Sequence, residues 1–178
     1  IIAENEKQNL LYEKTSEGQS PLEIQPWMVS DGLQLTLDLQ GNATHNVVGL
    51  RARRNPDPID LSKKDHHRAE DYFDPIVNKD RKEISFERGE HYLFASQEIV
   101  HVPKHLSAEL RRHSREGLEG RSHDAGFADQ GFFGDMVFEI TSEEETKIWL
   151  SHRTVLSRLD YFKTSKIPDK IYGRDIGS

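Results

Sequence analysis

The chain has 178 residues, 24 Lys+Arg against 31 Asp+Glu for a formal charge of −7, and no cysteine. That length suits one domain, or at most two small ones, able to bury roughly two thirds of its unfolded surface without a disulfide or metal. The missing cysteine excludes a disulfide scaffold, a zinc–thiolate site and a thiol nucleophile, and the net acidity argues against a nucleic-acid binder, which would show a basic face.

No apolar run approaches the roughly 18 residues that span a bilayer, so no membrane partner is expected. The opening Ile1-Ile2-Ala3-Glu4-Asn5-Glu6 lacks the basic start and apolar core of a signal peptide. It also lacks an initiator Met, so the chain is expected to be cut from something longer. A cysteine-free chain without such a signal points to a reducing, cytoplasmic setting.

Residues 1–30 are polar apart from the knot Leu10-Leu11-Tyr12, with turn signals at Gly18 and Ser20-Pro21. They are expected to form an N-terminal extension or linker, with the domain proper over 31–178. Between Gly32 and Gly41, leucine recurs at every second position (Leu33, Leu35, Leu37, Leu39), the period of a strand with one buried face. Gly41-Asn42 then turns the chain toward Asn46 to Arg53, the expected hairpin partner. Residues 54–82 break the pattern. Asn55-Pro56-Asp57-Pro58 reads as a turn, and the charge-dense Lys63 to Asp71 as an exposed excursion returning at Tyr72-Phe73.

Strands resume at Ile84-Ser85-Phe86, Tyr92 to Ala95 and Glu98 to Val102. Pro103 is expected to start one or two helical turns through Leu106 and Leu110. A glycine-punctuated stretch from Gly117 to Gly134 follows, and then strands at Met136 to Ile140, Lys147 to Leu150 and Val155 to Phe162. Many short strands with little helix predict an all-β sandwich or barrel.

The stretch Ala125 to Glu139 is the richest in chemistry. Its small residues let backbone approach a ligand, and its aromatics can stack on a base or pack in a core. Asp129 sits in the turn, and Glu139 lies ten positions on, in an otherwise apolar strand. A carboxylate buried there without a partner would have a raised pKa, the usual route to a general acid or base. Alternatively Glu139 faces solvent, since Phe138 and Ile140 flank it on the opposite face.

Arg111, Arg112 and Arg115 would cradle phosphates or form a solvated surface turn. Glu143-Glu144-Glu145 reads as a solvated hairpin loop, and Trp27 and Trp149 as core or interface packing. Arg51 and Arg53 share one face of their strand. Nine histidines raise the question of a metal. His66-His67 would point different ways, Pro103 separates His101 from His105, and no H-E-x-x-H occurs, so no protein-bound metal is expected.

The Asp-x-Gly-aromatic-x-Gly turn, Asp129-Gln130-Gly131-Phe132-Phe133-Gly134, followed by Met136-Val137-Phe138-Glu139, resembles the sugar-binding turn and catalytic strand of the dCTP deaminase family in the dUTPase-like superfamily. More narrowly, the chain resembles the second half of the duplicated bacterial enzymes. The likeness is carried by Asp31-Gly32-Leu33, Val48-Gly49-Leu50-Arg51-Ala52-Arg53, Tyr92 to Glu98, Val100-His101-Val102-Pro103, His123 to Phe127 and the terminal Tyr172 to Ser178.

The resemblance implies an all-β, distorted jelly roll or β-barrel of the dUTPase-like type, with a charged insertion and one short helix. It implies a homotrimer or pseudo-trimer with active sites between units. The implied reaction is hydrolytic deamination of dCTP to dUTP and ammonia, with Mg²⁺ carried on the triphosphate. Glu139 would move protons between the attacking water, the ring and the leaving amine, with Arg115 assisting. Ala125 would hold water and base through its backbone, Asp129 would lie near the deoxyribose, and Phe132 behind it. The zinc-dependent cytosine deaminases need a P-C-x-x-C element that cannot be built here.

The family's Gly-Arg-Ser-Ser-x-x-x-Arg phosphate grip is altered. This chain has Leu110-Arg111-Arg112-His113-Ser114-Arg115-Glu116-Gly117 at that place, keeping an arginine near the matching position but not the paired serines. Gly120-Arg121-Ser122 reads like the motif but lies too close to Asp129. Two further readings follow. One is a dUTPase or bifunctional deaminase–diphosphatase, with Asp129 helping to activate water at the α-phosphate. The other is a non-catalytic half that supports trimerisation. The deaminase reading requires Glu139 to lie in a dry, base-sized recess.

Overall fold

The computed structural model describes residues 9–41, 46–77, 82–112, 121–122, 126–142, 148–171 and 173–175. Its strands in chain order are β1 (Leu11–Thr15), β2 (Gly18–Pro21), β3 (Leu33–Thr36), β4 (Val47–Ala52), β5 (Phe73–Val77), β6 (Glu83–Phe86) and β7 (His91–His101). They continue with β8 (Leu106–Arg112), β9 (Arg121–Ser122), β10 (Phe127–Ala128), β11 (Phe133–Ser142), β12 (Ile148–Ser151) and β13 (Val155–Lys163). A single turn of helix, α1 (Ala69–Tyr72), is the one α-helix among the described residues. It falls within the charged excursion.

Two sheets carry the architecture. In the larger, β7 runs beside β1, β4 and β11, and β2, β5 and β9 extend it; the smaller has the order β10-β8-β13-β3. β6 and β12 pair separately. The inward faces meet in one core. Tyr92, Phe94, Val100, Met136, Phe138 and Ile140 come from the large sheet; Leu33, Leu35, Leu106, Ala108, Leu110 and Leu159 come from the small one. Alternation along each strand therefore points every second residue away from this core.

The expected extension before residue 31 supplies β1 and β2: Leu11 pairs with Val100 and Tyr12 with Ile99, and Leu10 and Leu11 are buried. The structure corrects three expectations. Val47–Ala52 is not the hairpin partner of the leucine strand; it pairs with β5 and β7, while β3 pairs with β13. Gly49 makes that placement possible. A Cβ there would lie 2.5 Å from the Phe94 ring and 2.7 Å from the Leu93 carbonyl oxygen, so only glycine lets β4 close on β7.

The segment after Pro103 is not helical. One turn, with the Leu106 N–H donating to the Pro103 carbonyl at 2.9 Å, opens directly into β8. Leu106, Ala108 and Leu110 are all fully buried, so their period is two and not four. Trp27 and Trp149 stay out of the core, each about 62% exposed, because neighbouring Met28 and Leu150 take the inward positions.

The leucine strand is buried on both faces, not one. Gln34, Thr36 and Asp38 are nearly as inaccessible as the leucines between them. β7 is the reason. It bulges opposite β11 between the Asp135 and Val137 pairings, and there it meets the end of the leucine strand, bridging Ser96 to Leu37. The Asp38 N–H donates to the Ala95 carbonyl at 3.1 Å. The polar face is then tied into a hydrogen-bonded network that runs from buried Glu98 out to exposed Lys14 and Asp135. The Thr36 N–H and hydroxyl donate to the two Glu98 carboxylate oxygens at 2.8 and 2.7 Å. Lys14 Nζ reaches Asp38 at 3.1 Å and Asp135 at 3.3 Å. Ser96 Oγ accepts from the Met136 N–H at 2.9 Å and donates to the Glu98 carbonyl at 2.6 Å.

The charged excursion is tied back at its ends. Arg51 and Arg53, sharing a face as their spacing predicts, both reach Asp74, at 3.7 and 2.9 Å. His67 lies 3.0 Å from the Asp60 carbonyl oxygen and 2.9 Å from the Tyr72 hydroxyl. No helix among the described residues is long and apolar enough to cross a membrane.

Candidate functional site

The Asp129 turn is built by glycine chemistry. The Phe132 N–H donates to the Asp129 carbonyl at 3.0 Å, closing a four-residue turn whose third residue, Gly131, has φ +91°. That left-handed position favours glycine. The turn is clamped to the end of β7: the Gly131 N–H donates to the Val102 carbonyl at 2.8 Å, and the Val102 N–H to the Phe132 carbonyl at 2.9 Å. The Phe132 ring is half-buried against the core, while the Asp129 carboxylate is exposed.

β11 starts from this turn and runs antiparallel to β7. Met136, Phe138 and Ile140 point inward, so Asp135, Val137 and Glu139 are exposed on the outward face. Glu139 pairs with Leu93 of β7, and Leu93 in turn with Leu50 of β4, both half-buried. Val137 is 52% exposed and Phe133 46%. Thr141, one step further along the same face, places its hydroxyl 2.9 Å from Nδ1 of the opposing His91. Glu139 is thus a carboxylate on an outward, largely apolar sheet face. Among the described residues, Glu139 stands on an exposed face and not in the dry recess that the deaminase reading requires.

Of the other expected site residues, Arg111 lies on β8 and alternates with buried Leu110, so it leaves the core on the outward face of the small sheet. It is already engaged by carboxylates, Glu109 at 2.7 Å and Asp160 at 3.3 Å, and its guanidinium sits 6.0 Å from the Phe162 ring centroid. The backbone of Arg112 continues β8 opposite Ser157. Its side chain, together with Arg115, Ala125 and Glu143-Glu144-Glu145, lies outside the described residues. Glu139 and Arg111 therefore occupy outward faces of different sheets and do not meet within one chain.

Residue type alone does not single out Glu98. It is 5% exposed, and desolvation pushes its carboxyl above the ordinary range while the Thr36 hydrogen bonds pull the other way. The available signal was the loss of alternation through Glu98-Ile99-Val100, which marks a bulge where a polar side chain turns inward. Among the described residues no group of three or more His, Asp or Glu could hold a metal ion.

The described residues form a two-sheet all-β domain in which a glycine-closed Asp turn feeds a strand with an outward carboxylate. The chain matches the model of the 2′-deoxycytidine 5′-triphosphate deaminase (DCD) C-terminal domain over residues 4–178, and it belongs to that family. It is 29% identical over 112 residues to the dCTP deaminase, dUMP-forming, of Halobacterium salinarum, covering 62% of this chain and 57% of that one. It superposes on the crystal structure of 2′-deoxycytidine 5′-triphosphate deaminase from Agrobacterium tumefaciens with a TM-score of 0.72 and 30% identity, over 79% of this chain and 44% of that one. The chain thus spans about half the length of these relatives.

Proposed function

We propose that this chain is a domain of a dCTP deaminase that releases ammonia from the cytosine ring of dCTP and leaves dUTP, with its active site completed by a neighbouring copy or by a second half of a longer protein. The observation that carries the proposal is Glu139, a carboxylate set among Val137, Leu93 and Leu50 on an outward sheet face. A surface of that kind favours burial against another body, and burial would give the carboxylate the desolvation that general acid–base work exploits. The trimer or pseudo-trimer that the family resemblance implies would provide it. The separation of Glu139 from Arg111 on two sheets supports the same arrangement, since a composite site joins groups from different units.

In this reading Glu139 accepts a proton from water as its oxygen attacks C4, then delivers it toward the ring and the departing amine; the C4–N bond breaks and ammonia leaves. Asp129 and Phe132 flank the deoxyribose, the backbone of Ala125 holds water and base, and Arg112 and Arg115 approach the phosphates. Arg111 joins them only by giving up Glu109 or Asp160. The nucleotide would enter as its Mg²⁺ complex, the ion supplying charge neutralisation on the triphosphate, and no residue of this chain is assigned to hold it.

The dUMP-forming relative favours a second reading, in which the same site also cleaves at the α-phosphate with Asp129 helping to activate water. Incubation with dCTP, dUTP and Mg²⁺ separates the cases. Ammonia from dCTP supports deamination, and pyrophosphate from dUTP supports the second reading. If neither forms, in the isolated chain or in its assembled parent, the domain is a structural half.

A further inference from the structure

A cavity of about 680 Å³ opens on the small sheet, away from the Glu139 face. Its floor is apolar, formed by the buried Leu10, Leu33 and Leu159, and Phe162 stands at one wall. One edge is polar, formed by Asp31, Arg158 and Asp160. Volume, apolar floor and a few convergent polar groups are the ordinary attributes of a small-molecule site.

The polar edge is kept open by one residue. Gly32 has φ +141°, and a Cβ there would fall 2.4 Å from Asp160 Oδ1 and 3.2 Å from Arg158 Cδ. Any larger residue would push the acid and the guanidinium out of place. The Arg158–Asp160 pair is also loose. Its Nε lies 3.6 Å from Asp160 Oδ1, beyond hydrogen-bond reach, and this buried donor has no hydrogen-bond partner among the described residues. A guanidinium not locked by its own hydrogen bonds can re-aim toward an acceptor, and an unmatched buried donor favours doing so.

The charges select the ligand. Around this edge the carboxylates of Asp31, Asp160 and Glu109 outnumber the guanidinium groups of Arg111 and Arg158. That excess of carboxylates disfavours a polyanion such as a triphosphate. An uncharged flat ring carrying both N–H donors and a carbonyl or ring-nitrogen acceptor matches a carboxylate beside a guanidinium, while its faces rest on leucine and phenylalanine. We infer that this cavity is a second binding site, for an uncharged nitrogen heterocycle of the nucleobase or nucleoside class, distinct from the Glu139 face.

The test is a titration of the ¹⁵N-labelled chain with deoxycytidine and thymidine, and in parallel with dCTP. The expected result is saturable shifts at Leu33, Leu159 and Phe162 with the nucleosides, and affinity for dCTP at this site at least tenfold weaker. Arg158→Met, which keeps the apolar stem, should weaken nucleoside binding at least tenfold. Gly32→Ala should do the same, its folded state checked by the spectrum itself. Glu139→Gln should leave the nucleoside-induced shifts at Leu33, Leu159 and Phe162 unchanged, which separates this site from the proposed reaction. The inference is overturned if no saturable shift occurs, if shifts centre on β11, if dCTP binds here more tightly than the nucleosides, or if Arg158→Met binds as the parent does.

Discussion

Glu98 and Glu139 stand on neighbouring strands of the same sheet and lead opposite lives. Glu98 turns inward at the β7 bulge and is sealed against Thr36, whereas Glu139 alternates outward between buried Phe138 and Ile140. The buried acid has its hydrogen-bonding capacity spent inside the fold, fixing β3 to β7. The exposed one stands on the outward face of β11. Strand parity separates the two acids: the bulge turns Glu98 inward, and regular alternation turns Glu139 outward.

The largest effect that would sharpen this contrast is on turnover. In the assembled protein, Glu139→Gln should lower ammonia release from dCTP by about 10²-fold or more, the range typical of a lost acid–base group, with denaturant stability and oligomeric state unchanged. Unaltered turnover would remove Glu139 from proton transfer. Glu98→Ala should do the reverse in kind. It leaves the Thr36 N–H and hydroxyl buried without acceptors, costing about 2 kcal/mol in urea unfolding.

Two steric and electrostatic tests follow in size. Gly49→Ala should cost about 1–3 kcal/mol, because the new Cβ meets the Phe94 ring and Leu93 carbonyl and the sheet must open to take it. The pH dependence of stability reads Glu98 directly. Its folded pKa is raised above the ordinary 4.5, so the folded state holds the proton more tightly than the unfolded one. The stability this contributes is complete below about 4.5 and is lost as pH climbs through the raised folded value. Glu98→Gln should flatten that decline in unfolding midpoints measured from pH 4 upward. The smallest effect belongs to the exposed pair: Arg53→Ala, which breaks the contact to Asp74, should change stability by about 0.5 kcal/mol or less.

Much of the fold was legible where a local rule acts alone. β6, β11, β12 and β13 lie within a few residues of the apolar runs that announced them, and the Gly131 turn follows from its Asp-x-Gly spacing. Tyr92 to Ala95 and Glu98 to Val102 looked like two strands because the bulge interrupts their alternation, yet they form one strand, β7. Leu106 and Leu110 fit a helical step as well as a strand, and only the fully buried Ala108 between them decides for the strand. Of the candidate site, the Asp129 turn and the outward-facing option for Glu139 were readable. The engagement of Arg111 by Glu109 and Asp160 was not, since Asp160 is distant in sequence and arrives through the pairing of β13 with β8.

What the sequence alone determined is the class of fold, the family kinship and the identity of the acid on the outward strand, because alternation and turn chemistry are local properties of the chain. What only the tertiary structure decided is which polar groups are dry. Whether the polar face of the leucine strand meets water or another strand depends on β7 bulging across it. Likewise Glu139 and Arg111, 28 positions apart in the chain, part company because two sheets packed on one core must turn their remaining faces in opposite directions.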